Sequence, residues 1–163
     1  MPAAEHVGER MRRVHDLDEK DRKILELLEL DGRRSNSDIA RLTNLSAPTV
    51  AERIARMRDI GVIRGFSVQL NAARVGLPVS AFIQFRPTDI NDDQAVDLVK
   101  QFAEVRDCYR VTGETLLVLL VRLADNEQLR ALLAQLYKHG ETRTSVILHT
   151  EWEQRPIFAG RDG

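Results

Sequence analysis

Apolar positions recur along the chain at two different periods, and the change of period divides it. Up to residue 61 the spacing is helical. Ile24, Leu27 and Leu28, with Leu25 widening the stripe, predict a first helix. Asp18 and Asp21 suit its positive N-terminus, and Gly32 is expected to cap its C-terminus. Ser35-Asn36-Ser37-Asp38 opens a second helix in the manner of a capping box, with Asp where Glu or Gln is commoner. Ile39, Ala40 and Leu42 form its core face, and Thr43-Asn44-Leu45 makes a short turn. Ser46 caps a third helix that tolerates Pro48 in its first turn. Val50, Ile54 and Met57 bury one side of that helix, and Gly61 stops it. From Val62 to Asn71 the period falls to about two, which predicts a strand leaving the helical unit.

The second half alternates strands and helices. Val79–Arg86 alternates and halts at Pro87, a strand. Ala95, Val96, Leu98, Val99, Phe102 and Val105 predict a helix over 92–105, with Asp92 and Asp93 at its N-terminus. Arg106–Thr112 reads as a strand, with Cys108 packed inside it, broken by Gly113. Leu116–Leu123 is nearly all apolar, a central strand expected to be buried on at least one face and, by its composition, on both. Leu129, Leu132, Leu133, Leu136 and Tyr137 predict a helix over 126–139, ended by Gly140. Thr144–Trp152 is the last strand, with Val146 and Leu148 on one side. The order βαββαβ is the ferredoxin-like split βαβ motif, so the chain reads as α+β. Its two helices cover one sheet face, and the other face must meet water or a partner, which points to a dimer.

The expected organisation is a flexible N-terminal extension over 1–16, a winged-type helix-turn-helix domain over 17–70 and a linker over 71–78. A ferredoxin-like domain follows over 79–155, with a C-terminal tail over 156–163. Two helices, a turn of about three residues and a third helix with an apolar inner face are the parts of a helix-turn-helix, whose third helix enters the DNA major groove. The spacing places Thr49, Arg53 and Arg56 on the outer face, opposite the core stripe, beside Ala47. Arg53 has a second reading as the partner of an acidic neighbour. Ser35 and Ser46 are caps first.

The chain has 163 residues, 43% hydrophobic and 30% charged, with a net charge of −1, so it is no polycation. Charge is unevenly placed, however. Residues 33–74 carry eight Arg and three acidic groups, a net of +5. A guanidinium fork matches phosphate or the guanine edge. One cysteine excludes a disulfide framework and a cysteine zinc site. The longest apolar run, Leu116–Val121, is far short of the ~20 residues that span a bilayer. The N-terminus has no apolar secretory core, so a soluble, reduced, intracellular protein is expected. His6, His15, His139 and His149 form no i, i+4 pair, and there is no GxSxG, P-loop or GxGxxG. The pattern does not favour an enzyme, and no metal or cofactor is expected.

The stretch LDEKDRKILELLELDGRRSNSDIARLTNLSAPTVAERIARMRDIGVIRGFSVQLNAARVG resembles the N-terminal half of the leucine-responsive/AsnC (feast/famine) regulators. CYRVTGETLLVLLVRL and GETRTSVILHTEW resemble their effector domain, and the likeness covers about residues 17–152. It rests on the L-D-x-x-D start, D-G-R-x-S-N, the L-S before the third helix, R-I-x-R-M and G-V-I-x-G-F, all in register. The resemblance implies a cytoplasmic, nucleoid-associated transcription regulator binding double-stranded DNA as a homodimer, often assembled into octamers of four dimers. It implies an amino-acid effector bound between ferredoxin-like domains of the RAM type, which serve effector binding and oligomerisation. On that basis the DNA-binding residues are Arg34, Ser35, Ser46, Ala47, Thr49, Arg53 and Arg56. The effector-binding residues are Tyr109, Gly113, Glu114, Thr115, Leu116, Thr142 and Thr144. Many members carry acidic–aromatic–Asp–aromatic after the glycine, whereas Glu114, Thr115, Leu116 and Leu117 stand here. Leu116 thus replaces the aspartate expected to meet an ammonium: either Glu114 substitutes for it, or the ligand is less cationic, bulkier and more apolar, or absent. Two other readings remain: a decarboxylase of haem precursors, known among wider relatives, and a DNA-architectural protein without effector.

Overall fold

The computed structural model describes residues 17–113 and 116–158. The predicted N-terminal extension, Glu114 and Thr115, and the last five residues lie outside them. The chain forms two units, one of residues up to Ser67 together with the chain from Trp152 onward, the other Val68–Glu151.

The first unit holds three helices: α1 Glu19–Leu30, α2 Asn36–Thr43 and α3 Ala47–Asp59. Each begins where a short polar side chain accepts a backbone N–H that the helix itself leaves unpaired. Asp18 takes the N–H of Asp21 while the Asp21 carboxylate takes that of Asp18, a reciprocal box. Ser35 and Ser46 cap α2 and α3, and Pro48 is accommodated in the first turn of α3. Ile24, Leu25, Leu27, Ile39, Ala40, Val50 and Met57 form the core, with Ile54 half-buried beside them. Asp31, in extended conformation, is the C-cap of α1 in place of the expected Gly32. Gly61 has φ +75°, the left-handed conformation that a chain leaving a helix takes at little cost only with glycine. The strand expected over 62–71 does not form: no ladder pairs this segment among the described residues, and Val62, Phe66, Val68 and Leu70 are exposed.

The second unit is β1 Val79–Pro87, α4 Asp92–Val99, β2 Val105–Arg110, β3 Leu117–Leu123, α5 Asn126–Leu136 and β4 Gly140–Val146. The sheet is antiparallel in the order β2-β3-β1-β4, the ferredoxin-like arrangement. Ala81, Ile83, Phe85, Leu117, Leu119, Val121 and Leu123 are buried on one face with Ala95, Val99, Leu129, Leu132 and Leu136 of the helices. β3 alternates buried and half-buried residues, so it is covered on one face rather than both. The first helix of this unit stops at Val99, short of the expected 105, and Val105 already pairs with Val121. α5 ends at Leu136, and Gly140 opens the last strand rather than merely stopping a helix. That strand ends at Val146, so Leu148 and Trp152 lie outside the sheet. Cys108 is exposed on the edge strand rather than packed, and the desolvation it does undergo pushes its thiol up from the usual value. No described helix is long and apolar enough to cross a membrane.

Candidate functional site

The N-terminal turns of α2 and α3 carry polar groups whose hydrogen bonds are largely local. Ser35 Oγ accepts the Asp38 N–H at 3.1 Å and donates to Asp38 Oδ2 at 2.7 Å. Arg41 reaches the other carboxylate oxygen at 3.3 Å. The Ser35 hydroxyl first, and Arg41 after it, hold the Asp38 carboxyl below the usual range. Ser46 Oγ accepts the Thr49 N–H at 3.2 Å and lies 2.8 Å from Thr49 Oγ1. Ala47 packs half-buried against the helical core. Arg34 is half-buried, and its Nε has no hydrogen-bond partner.

Arg53 and Arg56 take the acidic-partner reading. Arg53 Nη1 donates to Asp18 Oδ2 at 2.7 Å and to Asp21 Oδ1 at 2.8 Å. Arg56 Nη2 donates to Asp21 Oδ2. Asp21 is 0% exposed, Arg53 26% and Arg56 43%. The Asp21 carboxylate therefore gathers the Asp18 N–H and two guanidinium groups. A buried carboxylate is tolerable only when paired and hydrogen-bonded in this way. Asp18 is held below the ordinary carboxylate range, first by the Asp21 backbone N–H and then by Arg53. Arg53 is raised, first by Asp18 and then by Asp21.

This pairing corrects the helical phase assigned from sequence. At about 100° per residue, Thr49, Arg53 and Arg56 lie on a flank about 60–120° round from Val50, not opposite it. The side away from the core centres on Pro48, Glu52, Ala55 and Asp59, all exposed, with the exposed Arg56 and Arg58 on its two flanks. The signal for that face was available in the spacing, since Pro48, Glu52 and Ala55 are out of phase with Val50 and Met57.

In the second unit the expected effector residues separate. Tyr109 lies opposite Val118 on the uncovered face of edge strand β2 and is 54% exposed. Thr142 and Thr144 lie opposite Phe85 and Ile83, on the helix-covered side of the other edge strand, β4. Two strands intervene, which places them about 14 Å from Tyr109 across the sheet. Both threonine hydroxyls are buried without a hydrogen-bond partner. Gly113, at φ +102°, sits in the β2–β3 turn at the same end of the sheet as Thr142. Leu116 closes that turn, its carbonyl accepting the Val111 N–H at 3.1 Å, and packs against the apolar cluster. An aspartate there would enter that cluster, so this turn is built for a leucine. Glu114 and Thr115 lie outside the described residues. No group of three or more described His, Cys, Asp or Glu residues is placed to hold a metal.

Comparison with known proteins matches both units. Residues 17–58 match the AsnC-type helix-turn-helix domain, and residues 80–157 match the Lrp/AsnC ligand binding domain. The HTH-type transcriptional regulator LrpA of Mycobacterium tuberculosis is 36% identical over 142 residues, covering 85% of this chain and 95% of the relative. The feast or famine regulatory protein of M. tuberculosis complexed with L-methionine superposes with a TM-score of 0.82 at 36% identity, covering 87% of this chain and 99% of that one. A transcriptional regulator of Neisseria meningitidis, also complexed with L-methionine, gives 0.78 at 26% identity, covering 86% and 96%. With its capped three-helix unit and its four-stranded βαββαβ unit each matched in turn, the chain belongs to the Lrp/AsnC family of helix-turn-helix transcriptional regulators.

Proposed function

We propose that the chain binds double-stranded DNA as a homodimer and is modulated by an amino acid held by its C-terminal unit. The observation that carries this is the joining, in one chain, of a capped helix-turn-helix to a sheet with one face uncovered. The DNA surface is formed by the N-terminal turn of α3 (Ser46, Ala47 and Thr49), the exposed residues beyond it, and Arg34 and Ser35 at the start of α2. Arg34 fits because it stands beside the Ser35 cap at the start of α2, in the stretch 33–74 with its net charge of +5. Phe82, Tyr109, Val118 and Leu120 share the uncovered sheet face and supply the dimer contact, with octamers as a further step. A dimer presents two recognition helices to successive turns of the duplex.

The effector reading rests on the two unpartnered threonine hydroxyls, on the turn at Gly113, and on the methionine bound by the two relatives. Small polar groups beside an apolar cluster suit an amino acid with an apolar side chain. The hydroxyls take its carboxylate and Glu114 its ammonium, with the remaining contacts, Tyr109 among them, contributed by a second subunit. The protein acts by binding rather than by catalysis, and nucleoid association follows from DNA binding.

A gel shift on the DNA upstream of its own gene, repeated with each amino acid, tests the whole reading. A retarded band whose midpoint moves with one amino acid supports it, and no retardation at any salt overturns it. Thr49→Ala is expected to change base preference. Calorimetric titration separates the effector claim. Glu114→Gln is expected to weaken the amino acid by at least tenfold, the loss of one charge-assisted bond. Equal binding by that variant places the ammonium elsewhere. An absorbance spectrum carrying a tetrapyrrole band would favour the decarboxylase instead.

A further inference from the structure

The recognition helix is less cationic than its sequence. α3 carries Arg53, Arg56 and Arg58 against Glu52 and Asp59. Two of its three arginines point to the start of α1, where the fully buried Asp21 carboxylate takes one hydrogen bond from each. Asp18 takes a second bond from Arg53. Facing most directly away from the core are Pro48, Glu52, Ala55 and Asp59, acidic on balance, with the exposed Arg56 and Arg58 on the two flanks.

We propose that Asp21 is a specificity-setting residue of the DNA interface: it holds Arg53 and Arg56 away from phosphate, so that α3 meets the duplex through hydrogen-bonding and apolar groups. The proposal rests on the DNA-binding reading above. Arginines that reach phosphate raise affinity for every sequence alike and steepen its salt dependence. Arginines tied to a buried carboxylate do neither, and the contacts left to α3 are those that discriminate bases. The same bonds fix the roll of α3 against α1, because Asp21 sits inside the capping box that starts α1. Asp21 is thus a positioning residue: it sets which side of α3 faces outward without itself touching DNA.

The test is a salt titration of binding to two duplexes, the upstream fragment and one of mixed sequence. Asp21→Asn removes one acidic partner from each arginine and leaves Asp18 on Arg53. Its affinity for mixed-sequence duplex is expected to rise. The slope of log affinity against log salt is expected to steepen by about one, since each added phosphate contact contributes about 0.9. The preference for the upstream fragment is expected to fall at least tenfold. A role confined to folding lowers affinity for both duplexes and leaves the slope alone, and that result overturns the proposal. Arg53→Gln keeps the question open to test even if Asp21→Asn does not fold. An unchanged slope supports the clamp, and a slope shallower by about one shows that Arg53 contacts phosphate and overturns it. A wild-type protein that binds neither duplex defeats the DNA-binding reading itself.

Discussion

Gly140 stands against Pro87 across the β1–β4 ladder so closely that a Cβ on it would lie 2.7 Å from the Pro87 Cα and 2.1 Å from the Arg86 carbonyl oxygen. The obstacle is backbone, which cannot swing aside like a side chain. Gly140→Ala is therefore expected to destabilise the C-terminal unit by about 1–3 kcal/mol, the usual range for forcing atoms into a packed site. Denaturant unfolding followed in that unit checks it, and an unchanged midpoint refutes it.

Glu29 accepts the backbone N–H of Ile157 at 2.8 Å and of Phe158 at 2.7 Å. Phe158 packs against the helical core. Glu29→Ala is expected to cost about 0.5–1.5 kcal/mol, low for bonds to a charged acceptor because the site is exposed. Hydrogen exchange at the Ile157 and Phe158 amides is expected to quicken at the same time. Unaltered exchange at both amides contradicts the contact.

Asp18 supplies a pH dependence of defined sign. Its carboxyl lies below the ordinary range in the folded protein. Its contribution is therefore complete above the unfolded value of about 4 and disappears as pH falls through that value to the folded one. Asp18→Asn is expected to flatten the loss of stability below about pH 4 in acid titrations of unfolding. An acid limb of the same steepness in wild type and variant refutes this.

Thr144 carries a buried hydroxyl without a partner. Thr144→Val keeps the shape and removes the unpaired group, so the effector-free protein is expected to gain up to about 1 kcal/mol. Amino-acid binding in calorimetry is expected to fall in the same variant. Stabilisation without any loss of binding excludes this hydroxyl from the effector site.

Phe82 is 43% exposed on the uncovered sheet face. Phe82→Lys is expected to turn a sedimenting dimer into a folded monomer at micromolar concentration. A dimer of unchanged stability places the interface elsewhere.

What the sequence revealed divides along the range of the interaction. Ser35, Asn91 and Ser46 cap helices through bonds spanning three residues, so local chemistry was enough to place the helix starts. The core faces of β1 and β3 were equally legible, because alternation is written in adjacent residues. β4 was misplaced because Gly140–Ser145 is polar or small on both sides, with Thr142 and Thr144 on the inner face. Its identity as a strand comes only from its pairing with β1. The pairing of Arg53 and Arg56 is not legible in the sequence for a related reason. Their partner Asp21 lies 32 and 35 residues away, and the pull of that buried carboxylate has no local signature.

The chain crosses from the helices to the sheet after Ser67 and returns at Trp152. A single cut therefore cannot release either unit whole. A gene fusion joined near residue 70 would give its new neighbour three helices without Phe158, and Glu29 would be left without the amides it binds. A transplanted helical unit is then expected to keep its native stability only when the segment holding Ile157 and Phe158 travels with it.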